Sequence, residues 1–137
     1  MKFDNDGFKV YGDVTFRGMC PTEVNEQRAF FSWIRREFPE YGAIATHIRN
    51  EGVRSYGQAT MHKLDGMVKG ASDIIIPCSP PFVCEVKRRD HTKSKWQTGQ
   101  QEYLQSTTSL GAFACVALGF EAAKAAFLDY LKENSDV

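Results

Sequence analysis

The apolar positions change period along the chain, and each change marks an element. Phe30, Trp33, Ile34 and Phe38 recur at helical spacing, which predicts a helix from Thr22 to about Phe38. Thr22 is a good N-cap, Glu23 sits in the favourable first turn, and Pro39 ends the helix. Gly42–Ile48 reads as a strand and Arg49-Asn50-Glu51-Gly52 as a turn. Residues 55–67 read as a short helix with Ala59 and Leu64 inward, closed by Gly66 or Gly70. Ser72–Ile76 and Phe82–Lys87 form a hairpin around the turn Pro77-Cys78-Ser79-Pro80-Pro81. A helix follows from about Lys95 to Ser109, with Gly111 as its cap. Phe113–Leu118 is apolar throughout, as in a strand covered on both faces. The last helix, about 120–132, turns Phe120, Ala123, Phe127 and Leu131 to one side. Residues 1–20, rich in Gly and Asp, form an extended arm or an edge strand. The order α, β, (α), β, β, α, β, α is that of one mixed α/β layer domain.

Composition narrows the class. A chain of 137 residues builds one domain with a core and is too short for two ordinary ones. With 42% hydrophobic and 25% charged residues, wholesale disorder is excluded. Seventeen Lys and Arg balance seventeen Asp and Glu, which excludes a polybasic DNA coat but not a local basic groove. No apolar run approaches the roughly 18–20 residues of a membrane span. The segment Met1–Gly7 lacks the apolar core of a signal peptide, so a cytoplasmic location is expected. Cys20, Cys78, Cys84 and Cys115 form no CxxC pair, and His47, His62 and His91 are dispersed, so zinc chemistry has little support.

The hairpin carries the first candidate chemistry. With a five-residue turn, Ile76 faces Phe82, Ile75 faces Val83, Ile74 faces Cys84, and Asp73 faces Glu85. Opposed residues of an antiparallel pair share a face with Cβ atoms about 5 Å apart. Two carboxylates side by side repel unless a cation or a shared proton lies between them. Lys87, two residues beyond Glu85, lies on the same face. Hard oxygen ligands of this kind suit Mg²⁺ or Mn²⁺. The bland alternative is an exposed charged edge, with Asp73 capping a turn. The strongly apolar strands on either side weigh against it.

Two more polar residues lie where apolar ones are expected. Glu26 precedes Phe30, Trp33 and Ile34 by four, seven and eight, which places it on the buried stripe of the first helix. Gln100 shares a stripe with Trp96, Tyr103, Leu104 and Thr107, whereas Gln101 falls outside it. Each alone also reads as a tolerated polar group near a helix end. Finally, Lys87–Lys95 holds five Lys or Arg and one acid in nine residues, either a solvated loop or a phosphate-tracking surface next to the carboxylates. Arg88, Arg89, Lys93 and Lys95 are its candidate DNA contacts, and Arg49, Arg54 and Lys69 extend them. Nothing resembles a base-reading motif.

The series Glu26, Ser72-Asp73, Glu85-Val86-Lys87 and Gln100 resembles the PD-(D/E)xK nuclease superfamily, and more narrowly its VRR-NUC (virus-type replication-repair nuclease) domain in the stand-alone form of phages. His47-Ile48-Arg49-Asn50 resembles that family's His-x-x-Asn turn, which adds Asn50 to the DNA contacts. Lys63 through Asp73 resembles its K-x-x-G-x-x-x-G-x-P-D run, with Ser72 where the family usually has Pro. Gln100, Leu104 and Gly111 resemble its Q-x-x-x-L…G segment, with Gln97 and Gln101 as alternatives for the glutamine. The resemblance spans roughly residues 22–132, so residues 1–21 are set apart as an N-terminal arm from a nuclease domain at 22–137.

The resemblance implies a restriction-endonuclease-like α/β core in αβββαβ order, a mixed sheet flanked by helices. It implies that Asp73, Glu85 and the Val86 carbonyl ligate one or two divalent cations, Mg²⁺ or Mn²⁺, with Glu26 nearby. It implies that Lys87 orients the attacking water or stabilises developing charge, that Gln100 positions it, and that products carry 5′-phosphate and 3′-hydroxyl ends. The expected activity is metal-dependent DNA endonuclease, selective for branched DNA in the manner of a Holliday-junction resolvase and acting as a homodimer. The alternatives are a non-specific, single-strand or flap nuclease of the same fold, and a catalytically silent DNA-binding module. Phe8, Val10, Tyr11, Phe16, Tyr56 and Met61 are the candidate dimer contacts.

Overall fold

Thr22 starts the first helix as its side chain requires: its Oγ1 accepts from the Asn25 N–H at 3.3 Å. The computed structural model describes residues 1–3, 7–48, 61 and 63–135. Its elements are β1 (Lys9–Tyr11), α1 (Glu23–Glu37), α2 (Pro39–Gly42), β2 (Ile74–Ile76), β3 (Phe82–Lys87), a 3₁₀ turn (His91–Lys93), α3 (Gln100–Ser109), β4 (Phe113–Leu118) and α4 (Phe120–Glu133). The described strands form one sheet in the order β1-β4-β3-β2. β4 runs parallel to β1 and β3, and β2 runs antiparallel to β3.

The hairpin register is the predicted one, with Ile74, Ile75 and Ile76 opposite Cys84, Val83 and Phe82. The alternation of β3 then sorts its side chains. Phe82, Cys84 and Val86 join Phe30, Ile34, Phe113, Phe127 and Tyr130 in an aromatic core with α1 and α4. Val83 joins Leu104, Ala114 and Val116 under α3. Glu85 and Lys87 therefore face the α3 side.

Two predicted boundaries move. The strand expected over Gly42–Ile48 is one antiparallel bridge, Thr46 to Ile75, because Pro39 starts a second helix. Proline is well placed at a helix's first position, and the N–H groups of Ala43 and Ala45 bond back to Pro39 and Tyr41. The helix expected from Lys95 starts five residues later, at Gln100, behind Gly99 at φ +91°. Of the helix expected over 55–67, most lies outside the described residues; Asp65 N–H bonds to Met61 and Gly66 N–H to Lys63, so a helical turn ends at Gly66.

The expected arm packs on its own domain. β1 adds to β4 as an edge strand. Phe3 and Phe8 pack on Trp96 under α3. Farther on, Gly18 N–H donates to Asp90 Oδ2 at 3.0 Å.

Candidate active site

Asp73 stands immediately before β2 and its Oδ2 accepts from the Val86 N–H at 3.0 Å. This bond continues the hairpin ladder through a side chain one residue before β2 begins. The N–H and C=O of a strand residue point to the same edge, so the Val86 carbonyl also faces the Asp73 side. Glu85 on β3 is 2% exposed. Its Oε1 accepts from Gln100 Nε2 at 2.9 Å, and its Oε2 is buried with no hydrogen-bond partner among the described residues. Burial first, and the Asp73 carboxylate second, push its pKa well above the usual carboxylate range.

Lys87 is as buried as Glu85. Its ammonium donates to the Lys95 carbonyl and to Gln100 Oε1, both at 2.8 Å. It lies 3.8 Å from Glu85 Oε1 and 3.5 Å from Glu23 Oε1. Gln100 holds both charges at once, amide nitrogen to Glu85 and amide oxygen to Lys87, while that oxygen also accepts from the Gln97 N–H at 2.8 Å. Its place is set by a backbone crossing. A Cβ on Gly70 would collide with the Gly99 carbonyl, and a Cβ on Gly99 would come within 2.6 Å of the Lys69 oxygen. Both glycines have positive φ, so the chain before Asp73 can lie directly on the start of α3.

Asp73, Glu85, Lys87 and Gln100 thus come together. Gln101 lies one position further on α3, and Gln97 contributes its backbone N–H. Glu26 sits elsewhere: its Oε2 accepts from the Phe120 N–H at 2.9 Å, capping α4. The buried stripe of α1 packs on the Phe82, Cys84 and Val86 face, whereas Glu85 and Lys87 point to the other. The α1 acid that reaches the cluster is Glu23, one turn earlier, whose pKa burial raises above the ordinary carboxylate value. In the sequence Glu23 stands out as a favourable charge at the helix start. The signal that finds it is direction: α1 runs antiparallel to β3, so its first residue lies at the end of β3 where Lys87 is.

The basic loop is largely committed to internal contacts. Arg88 donates to the Cys20 and Pro21 carbonyls at 2.7 and 3.0 Å. Lys93 donates to the Gly18 carbonyl at 2.9 Å, and the Arg89 guanidinium lies 3.9 Å from the centre of the Phe16 ring. Lys69 and Lys95 are exposed. Arg49, Asn50, Arg54 and Tyr56 lie outside the described residues. A cleft of about 370 Å³ opens beside Lys87, lined by Glu23, Thr92, Lys93, Ser94, Lys95 and Gln97.

The donor set fits a hard divalent cation. Among the described residues no three His, Cys, Asp or Glu side chains gather as metal ligands. Mg²⁺ needs no such cage: one or two carboxylates with water and substrate phosphate suffice. A buried, unpartnered carboxylate oxygen beside a second carboxylate is a donor pair of that kind.

No protein-family model matches the chain, and no curated protein matches it. Among solved structures, a VRR_NUC domain protein is similar over 85% of this chain and 92% of that chain, with a TM-score of 0.68 and 21% identity. The chain therefore shares the fold of that VRR_NUC domain protein, a mixed sheet flanked by helices. No described helix is long and apolar enough to cross a membrane.

Proposed function

We propose that this chain is a divalent-metal-dependent DNA endonuclease that hydrolyses phosphodiester bonds, with branched DNA as its preferred substrate and a homodimer as its acting form. The observation that carries the reading is Glu85: a buried carboxylate with one oxygen bare, beside Asp73 and clamped to Lys87 through Gln100. Asp73, Glu85 and the Val86 carbonyl are the groups that would hold Mg²⁺ or Mn²⁺. Such a cation, when bound, polarises a phosphate oxygen and lowers the pKa of water near it.

The rest is supplied by the chain itself. Two acceptors fix the Lys87 ammonium, so it meets a phosphate without losing side-chain freedom at that moment. In this role it orients the attacking water or stabilises the charge that grows on the phosphate oxygens. Gln100 keeps Lys87 and Glu85 in one geometry. Glu23 adds a negative charge that helps hold the ammonium in place. Lys69 and Lys95 are exposed cations of the predicted set, and they add attraction for the backbone of DNA.

One observation favours the single-cut alternative, a flap or single-strand nuclease. Phe8, Tyr11 and Phe16, expected as dimer contacts, pack within the chain, on Trp96, Phe113 and the Arg89 guanidinium. The deciding experiment presents duplex, single strand, flap, three-way and four-way DNA with Mg²⁺ or Mn²⁺. The proposal expects cleavage by wild type, fastest on the four-way junction, and none by Asp73→Asn or Glu85→Gln. Cleavage of flaps alone replaces the junction reading with the single-cut one. Near-wild-type cleavage by either variant removes the site.

A further inference from the structure

A second cleft, of about 660 Å³, runs between α1 and the Thr46 edge of the sheet. Arg28, Ser32, Arg35 and Arg36 line one wall, and Thr46 and His47 line the other. No carboxylate is among its described lining residues. Arg28 has no ion-pair partner among the described residues. Arg35 lies 5.3 Å from the centre of the Phe31 ring, a contact that orients the guanidinium without neutralising it. Arg36 is paired with Glu37 at 3.1 Å, and is the weakest of the three as a free cation.

The cleft leads to the carboxylates. His47 Nδ1 bonds with the Asp73 backbone carbonyl at 2.9 Å, so one wall ends at the residue that faces Glu85. α1 begins at the same end, where Glu23 meets Lys87, so Arg28 lies nearer the site and Arg35 farther along. Seven residues of helix separate the two arginines by about 10 Å, the rise of roughly three base steps.

We infer that this cleft binds the phosphate backbone of the DNA strand on one side of the cut, through Arg28 and Arg35, with the Ser32 and Thr46 hydroxyls as further donors. The inference rests on the nuclease reading for the identity of its ligand. It also gives the backbone-holding role to a surface other than the loop 88–95, where Arg88, Arg89 and Lys93 are occupied by residues 16–21.

The test is fluorescence anisotropy of labelled four-way and linear DNA across a salt series in EDTA, which prevents cleavage. Wild type is compared with R28Q/R35Q and with R28K/R35K; both arginines are on the surface, and the lysine pair controls for folding. Each phosphate contact contributes about 0.9 to the slope of log affinity against log salt. The expected result is a slope shallower by about 1.8 in R28Q/R35Q and near wild type in R28K/R35K. An unchanged slope in R28Q/R35Q overturns the inference. So does an equal loss on DNA that ends at the cut site, with inorganic phosphate competing at matched ionic strength, because the cleft then holds an isolated phosphate. Cleavage with Mg²⁺ is scored separately. Absent cleavage with the slope change present removes the catalytic reading alone, and the converse removes the cleft alone.

Discussion

Two of the described glutamates are buried, and they have opposite surroundings. Glu26 on α1 gives its carboxylate to the first N–H of α4, where the helix end supplies partial positive charge. Gly119 leaves room for it: a Cβ there would collide with the Glu26 oxygen. Glu85 lies on the other face of the sheet, with one oxygen held by Gln100, the other bare, and a second carboxylate alongside. Burying an ion costs roughly several kcal/mol unless its surroundings compensate. At Glu26 they do. At Glu85 they do so in part, through Lys87 and Gln100, and the remainder is left for something that binds there. Burial therefore identifies both residues, and unmet bonding capacity separates the structural one from the functional one.

The largest effects should follow this division. Glu85→Gln abolishes cleavage in an assay with Mg²⁺, and Glu26→Gln reduces it far less. Their stabilities run the other way. Without metal, Glu85→Gln raises the melting temperature by relieving repulsion, whereas Glu26→Gln lowers it, because a weakened helix cap costs about 1 kcal/mol of stability. A pair of variants that behave alike in both assays would erase the contrast.

Lys87 comes next. Lys87→Ala lowers the cleavage rate by about 10²-fold or more, the usual loss when a preorganised charge-stabilising group is removed. Mn²⁺ affinity changes much less, because the ammonium acts on the phosphate. Gln100→Ala falls in the same direction with a smaller effect, since Lys95 still holds the ammonium. An unchanged rate in Lys87→Ala would reduce the lysine to a counter-charge for Glu85.

A pH series sharpens the comparison further. Glu85 has its folded pKa raised above the ordinary 4.5. Its contribution to stability is complete below that value and is lost as pH rises through the raised one. Asp90 is the reverse. The Thr92 hydroxyl first, and the Gly18 N–H next, lower it from 3.8 to about 2. Its contribution is present above 3.8 and lost as pH falls towards 2. In EDTA, Glu85→Gln should flatten the loss of melting temperature on the alkaline side, and Asp90→Asn should flatten the acid limb. If neither variant changes its own limb, the two environments have been misread. The smallest expected effect is in mass: light scattering of the proposed homodimer gives twice 15.5 kDa at micromolar concentration.

The parts of this site that are local in sequence were legible there. A five-residue turn between two apolar runs determines the register that puts Asp73 opposite Glu85, and β alternation adds Lys87. Gln100 is found from its stripe, although the helix is shorter than the pattern suggests, because Gly99 and the bonds to Lys87 and Gln97 bend the preceding segment. What was not legible depends on partners far away. A helical stripe tells which face of α1 is buried and not what it faces, so Glu26 was selected and Glu23 passed over. The loop 88–95 reads as free charge until Pro21, Cys20, Gly18 and Phe16, some seventy residues earlier, are seen against it. The helix α2 was hidden because Pro39 both ends one helix and starts the next.

The central claim is that Asp73 and Glu85 form an incomplete cation site. Calorimetric titration of Mn²⁺ into wild type and Asp73→Ala tests it without any assumption about substrate. The account predicts saturable binding by wild type and its loss in the variant. Equal binding by both proteins, or none by wild type, would contradict it.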